Sequence, residues 1–195
     1  MLWVLILVML LSTVGNGLAS AHLRQKSMSY PGQNSRVGMC LEIGGDLIIF
    51  KTLSDDTAGL YSIFEVVALP TPAIAPLHRH PAQETFYVMD GEFEFATIEV
   101  GRRLSMIARR GSTVHMRSMM PHAYRNVGTR VGRLIVVCQP GAQMERFFEE
   151  LGVPCADETF ANPSQTESAQ TVQTIAFERL QVIGRKYDVE CVEFE

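Results

Sequence analysis

The sequence predicts an all-β protein, a sandwich or barrel of short antiparallel strands followed by helices. Two observations carry this. From Cys40 to about Cys138 the chain is a succession of short apolar or alternating segments, each broken after a few residues by glycine, proline or Asp-Gly. After Gly141 the apolar period changes from two to that of a helix. Many short strands followed by helical stripes indicate strands packed on strands, closed by an appendage.

The elements follow in order. Residues 22–38 are polar, include Pro31-Gly32-Gln33-Asn34-Ser35, and read as a linker or arm. Leu47–Phe50 is a strand, and Tyr61–Leu69, rich in Ile, Phe and Val, is another. Thr85–Met89 leads into Asp90-Gly91, a hairpin signal because both turn residues tolerate positive φ. Glu92-Phe93-Glu94-Phe95 then alternates with period two, as a half-buried strand does. Further strands are expected at Leu104–Ala108, Ser112–Met116, His122–Asn126 and Arg133–Cys138. Met144, Phe147, Phe148 and Leu151 form one face of a short helix, stopped by Gly152-Val153-Pro154. Val172, Ala176, Leu180, Ile183 and Tyr187 mark a second helix from about Ser168 to Lys186. Both stripes are read as packing surfaces. The expected division is residues 1–21 as a signal peptide, 22–38 as the arm, 39–140 as the barrel and 141–195 as a helical extension.

Composition narrows the function. In 195 residues, 47% are hydrophobic and 19% charged, which supports a packed core. The net charge of −4 argues against a nucleic-acid partner, and although arginines pair at Arg102-Arg103 and Arg109-Arg110, no basic run is dense enough to form a phosphate-binding stripe. Leu2–Leu11 is an unbroken apolar run, followed by Ala19-Ser20-Ala21. Ten residues fit the core of a secretory signal better than a bilayer span, so a secreted or periplasmic location and no stable membrane span in the mature chain are expected. The segment before the run lacks Lys and Arg, and a start at Met28 or Met39, giving a cytoplasmic protein, is the alternative. Cys40, Cys138, Cys155 and Cys191 have no compact spacing; export would allow one or two bridges among three full pairings the sequence does not choose between, and the preferred reading is four unbridged cysteines, Cys138 a small buried hydrophobe.

The chemistry-bearing feature is His78-Arg79-His80, followed by Glu84 and Gly91, with His122 downstream in Pro121-His122-Ala123-Tyr124-Arg125-Asn126. Imidazoles with one carboxylate suit a first-row divalent metal. On a strand, His78 and His80 share a face. Pro81 breaks the strand, so the convergence of Glu84 depends on the turn. His122 must arrive from a separate strand, and three imidazoles with one carboxylate leave a coordination position open. His22 and His115 read as ordinary histidines, with His115 a candidate to line the barrel. Tyr124 shares parity with His122 and is a candidate to face the same interior; Tyr87, Met89 and Met116 are weaker pocket candidates, and for all four ordinary core packing is the preferred reading.

These residues resemble the two motifs of the cupin superfamily, G-x5-H-x-H-x3,4-E-x6-G and G-x5-P-x-G-x2-H-x3-N. His78, His80, Glu84 and Gly91 fall on the first, with Pro72 in place of its leading glycine. Gly111, His122 and Asn126 fit the second, with Arg117 for the proline and Met119 for the glycine. About Asp46–Leu151, and the tail ending Tyr187-Asp188-Val189-Glu190, are similar to small single-barrel cupins of the quercetin-dioxygenase-like group. The resemblance implies an antiparallel double-stranded β-helix (jelly roll) with C-terminal helices. It also implies one transition metal, Fe(II), Mn(II) or Ni(II) before Zn(II) or Cu(II), on His78, His80, Glu84 and His122. The implied activity is that of a metal-dependent dioxygenase acting on a small organic substrate, with Glu84 and Tyr124 as candidate catalytic residues. A non-redox isomerase or lyase, and a barrel that binds a ligand without chemistry, are the alternatives. A homodimer formed by strand exchange or sheet extension is implied as well, unless the helical tail covers the sheet edge within one subunit.

Overall fold

Alternation of buried and exposed side chains builds the β-structure. In Gly132–Gln139 the residues Leu134, Val136 and Cys138 face inward between half-buried neighbours, and in Gln83–Asp90 the inward residues are Glu84, Phe86 and Val88. The computed structural model describes residues 34–155 and 179–192, all within one unit, Gly32–Glu195.

The strands are β1 (Cys40–Ile43), β2 (Asp46–Thr52), β3 (Ser62–Ala68), β4 (His78–Arg79), β5 (Gln83–Asp90), β6 (Glu92–Glu99), β7 (Arg102–Arg109), β8 (Thr113–Met116), β9 (His122–Asn126), β10 (Gly132–Gln139), β11 (Val153–Pro154) and β12 (Glu190–Cys191); the helix α1 spans Ala142–Leu151. They form two antiparallel sheets. One is ordered β11-β1-β2-β3-β10-β5-β8, the other β12-β4-β9-β6-β7. Sequence neighbours β4 and β5 lie in different sheets, as do β7 and β8 and β9 and β10, which is the jelly-roll pattern. The core between the sheets is aromatic: Phe50, Phe64, Phe86, Phe93 and Phe95 are all at most 2% exposed. Phe86 packs edge-on against Phe95, with ring centroids 5.1 Å apart.

The hairpin expected at Asp90-Gly91 is instead a crossing between sheets, from β5 in one to β6 in the other, and β6 pairs with β7; Gly91 at the crossing has φ +93°, and a Cβ there would stand 2.8 Å from the Gly132 Cα. Only glycine meets both conditions. α1 lays Met144, Phe147 and Leu151 on the core, as the stripe predicts. Of the second stripe, Leu180, Ile183 and Tyr187 pack against the same core; residues 179–184 are helical and Arg185–Tyr187 close with a tighter turn. Val172, Ala176 and the helix start at Ser168 lie outside the described residues, as do the apolar run Leu2–Leu11 and His22. Among the described residues no helix is long and apolar enough to cross a membrane.

Three further expectations are corrected. The extension after residue 141 is not purely helical, because β11 pairs with β1 and β12 pairs with β4, so the tail completes both sheets. Two-residue strands have no period to detect, which is why the sequence hides them. The end of the supposed linker is fastened: Arg36 pairs with Glu149 at 2.7 Å and Glu145 at 3.2 Å, and Val37 packs on the core. Cys40 and Cys155 are bridged, 115 residues apart in sequence, because β1–β11 pairing brings their backbones together. Cys138 is buried and unbridged, as expected.

Candidate metal centre

β4 and β9 are antiparallel neighbours in which His78 and His122 are direct register partners. Opposite residues on such strands place their side chains on one face, about 5 Å apart at Cβ. His80 follows in the short β4–β5 connection, and Glu84 comes from β5 on the other sheet. The turn at Pro81 thus carries the chain across the sandwich and sets Glu84 against the histidines. One ring nitrogen from each of His78, His80 and His122 lies within 4.8 Å of the others. Glu84 Oε2 is 3.1 Å from His122 Nε2, and Glu84 Oε1 is 3.6 Å from His80 Nε2.

The surroundings fix which nitrogens face inward. A carbonyl oxygen only accepts, so His78 Nδ1 donates to Pro76 O at 3.0 Å and His122 Nδ1 donates to Met120 O at 2.8 Å. Both rings therefore turn Nε2 toward the cluster, the arrangement that second-layer hydrogen bonds impose on metal-binding histidines. His80 is 1% exposed, and neither of its nitrogens has a hydrogen-bond partner. A buried imidazole without partners is costly, on the order of 1–3 kcal/mol per stranded group, unless a cation takes its lone pair.

Electrostatics agree with a site for a cation. Burial, then the His122 and His80 charges, lowers His78 to about 3, and burial lowers His80. Both are neutral and able to donate a lone pair at pH 7. Burial pushes the Glu84 carboxyl up, but the hydrogen bond from His122 and the charges of His80, His122 and His78 bring it down to about 2. Burial disfavours the charged form of His122, yet the Glu84 hydrogen bond and charge outweigh it and raise its pKa. A proton thus sits between His122 and Glu84, where a metal would compete with it. The donor set fits one divalent transition metal, held by the three histidines with Glu84 beside them.

Two residues of the site escaped the sequence reading. Cys138 donates its S–H to Glu84 Oε1 at 3.3 Å, and burial together with the Glu84 charge raises the thiol pKa far above its usual value. Asp46, at the start of β2, accepts a hydrogen bond from the Tyr124 hydroxyl at 3.0 Å. Burial pushes Asp46 up to about 7 against the lowering effect of that bond. Parity held the clue to Asp46, since Ile48 and Phe50 on the same strand face are buried. No such pattern marks the partnership of Cys138 with Glu84.

His78, Glu84 and His122 form one wall of a cavity of about 310 Å³. Ile48, Phe64, Phe86, Met144, Phe147 and Leu151 make much of the remainder, with Asp46 and Tyr124 among them. The helix stripe is therefore both packing surface and cavity wall. Burial, the Asp46 charge and the hydrogen bond to Asp46 raise Tyr124 well above its ordinary pKa, so its hydroxyl is protonated. Met116 is buried, but Tyr87 and Met89 are exposed because Phe86 and Val88 take the inward parity of β5. His115 also faces outward, 2.9 Å from Thr85 Oγ1, and does not line the barrel.

The second motif survives its substitutions. Met119, at the glycine position, adopts φ +60° and donates its N–H to His80 O at 2.8 Å. The loop before His122 thus keeps a left-handed residue without glycine. Asn126 is structural: Nδ2 donates to Ala68 O and Arg130 O, and Oδ1 accepts from Gly128 N.

A jelly roll with three histidines converging between its sheets defines a metal-binding β-barrel protein. The cupin domain model matches residues 65–138, so the central strands of the barrel carry a cupin domain. Among solved structures it is similar to the formate complex of oxalate decarboxylase from Lactobacillus farciminis, with 17% identity over 51% of this chain and 30% of that one, TM-score 0.45. It is also similar to hydroxypropylphosphonic acid epoxidase from S. wedmorenis, with 19% identity over 50% and 53%, TM-score 0.45. A double-stranded β-helix protein from Klebsiella pneumoniae matches at 19% identity over 50% and 79%, TM-score 0.42. This chain thus spans less than a third of the decarboxylase and about half of the epoxidase. No curated protein matches it in sequence.

Proposed function

We propose that this cupin is a metal-dependent oxidoreductase of the dioxygenase kind, acting on a small organic substrate. Fe(II), Mn(II) or Ni(II) would be held by His78, His80, Glu84 and His122, with Zn(II) or Cu(II) as less fitting occupants. The observation that carries the reading is the convergence of three oriented or unpartnered imidazoles on the wall of a closed-in, mostly apolar cavity. Such a metal supplies Lewis acidity and a redox-active centre when bound.

The protein groups do the rest. Glu84, an ionised carboxylate steadied by the Cys138 thiol, is the group that accepts a substrate proton. Tyr124 spends its own proton on Asp46, so toward a substrate its oxygen acts as an acceptor. The Phe and Met side chains exclude water, which strengthens the electrostatic contacts inside. Export is supported by the Cys40–Cys155 disulfide, since such bonds persist in oxidising compartments.

The test begins with elemental analysis of the anaerobically purified full chain and of a His78→Ala/His122→Ala variant. Near-stoichiometric iron, manganese or nickel, lost in the variant, is expected, followed by oxygen uptake with flavonol or diketone substrates. Turnover without oxygen uptake would turn the reading to a non-redox isomerase or lyase. Metal in neither protein after reconstitution would overturn it.

A further inference from the structure

Resting on that reading of the site, we infer the class of molecule the cavity takes: an uncharged, largely apolar compound whose single hydrogen-bond donor, a hydroxyl or N–H, is held by Asp46. The argument is an inventory of polar groups along the cavity wall. Beyond the His–Glu84 cluster, the lining polar side chains are Asp46, Thr71, Tyr124, Arg125 and Asn126.

Most of these are spent. Arg125 is the only arginine or lysine among the described lining residues. Its Nε and Nη2 bind Glu94 Oε2 at 2.7 and 2.6 Å, and its Nη1 donates to Pro72 O. Asn126 has its amide fully engaged by Ala68, Arg130 and Gly128. Thr71 Oγ1 is tied to the Ala73 backbone. Tyr124 gives its hydrogen to Asp46 Oδ2. Asp46 engages Tyr124 through Oδ2 alone, so among the described lining side chains Oδ1 is an open acceptor, and the one guanidinium is already paired with Glu94.

An anionic ligand would therefore meet a carboxylate and aromatic faces, with nothing outside the metal cluster to offset its charge. A carboxylate or phosphate entering such a wall loses its hydration without replacement. A neutral molecule with one donor instead completes Asp46 and buries its apolar body against the phenylalanines. Tyr124 stands two residues beyond His122 on β9, so the two side chains share one face of the strand with Cα atoms about 7 Å apart.

The test is displacement of the neutral fluorophore N-phenyl-1-naphthylamine from the full chain, with and without bound zinc, by three matched compounds. These are 4-butylphenol, 4-butylbenzoate and butylbenzene. Without zinc, the phenol should bind about tenfold tighter than either of the others. Asp46→Ala should erase the phenol's advantage over butylbenzene while leaving butylbenzene affinity unchanged, and Asp46→Asn should restore part of it. Tighter binding of the benzoate without zinc, or an equal loss of phenol and butylbenzene affinity in Asp46→Ala, would overturn the inference. Neither readout depends on oxygen uptake, so failure of the dioxygenase reading would leave this result standing on its own.

Discussion

Two glutamates lie buried in this molecule under opposite conditions. Glu145, on α1, is 2% exposed and closed off by donors: the Ser54 N–H reaches its Oε1 at 2.5 Å, the Ser62 hydroxyl also donates to Oε1, and Arg36 approaches Oε2 at 3.2 Å. Glu84, 6% exposed, faces three imidazoles and a thiol, and one of those imidazoles has no partner at all. Both are charged groups removed from water. The first is satisfied by the protein and fastens α1 to the chain on either side of the turn at Ser54. The second is satisfied only in part, and the shortfall lies in atoms able to bind a metal. Burial of a charge does not distinguish structure from function; the state of its partners does.

The largest way to break the comparison is Glu145→Ala. It strands the Ser54 N–H and the Ser62 hydroxyl while Arg36 keeps Glu149, and stability should fall by about 2 kcal/mol, read from urea unfolding, while metal content of the folded fraction is unchanged. His80→Ala should do the reverse. Metal affinity, measured by competition with a chromogenic chelator, should fall about a hundredfold, with a much smaller loss of stability in the metal-free protein. Equal stability losses in the two variants would erase the distinction.

Asp46 sharpens the comparison as an intermediate case, a buried carboxylate with one donor. Its folded pKa of about 7 lies above the ordinary 3.8, so the folded state binds this proton more tightly than the unfolded state. The stability it contributes is therefore present below pH 4 and is lost as pH rises toward and through 7. Asp46→Asn should flatten that part of the stability–pH profile of the metal-free protein, followed by thermal unfolding between pH 4 and 8. The smallest effect is expected at Met119, which holds a left-handed backbone beside His80. Met119→Gly should stabilise by up to about 1 kcal/mol, because the side chain is 41% exposed and its removal relieves the φ cost.

Much of this was legible in the residues. Period-two alternation in Glu92–Phe95 located a strand and Asp90-Gly91 a turn, but that turn joins strands of different sheets, and the pairing of β6 with β7 was not read. His78, His80, Glu84 and His122 were readable because donor chemistry and spacing survive in one dimension. Cys40–Cys155 was not readable, because its closeness comes from strands that meet after 115 residues. β12 was equally hidden: its two residues complete the sheet beside His78 through pairing that no local pattern encodes.

The sequence by itself determined the longer strands, the turn at Gly91, the helix face of Met144, Phe147 and Leu151, and the identity of the donors, because these depend on side-chain type and on periods of two and 3.6. Only the tertiary structure decided that Asp46 meets Tyr124, that Cys138 steadies Glu84, and that His80 is left without a partner. Each of those facts is a relation between sheets or across many residues. It exists only once the chain has crossed from β4 to β5 and the two sheets have closed on each other.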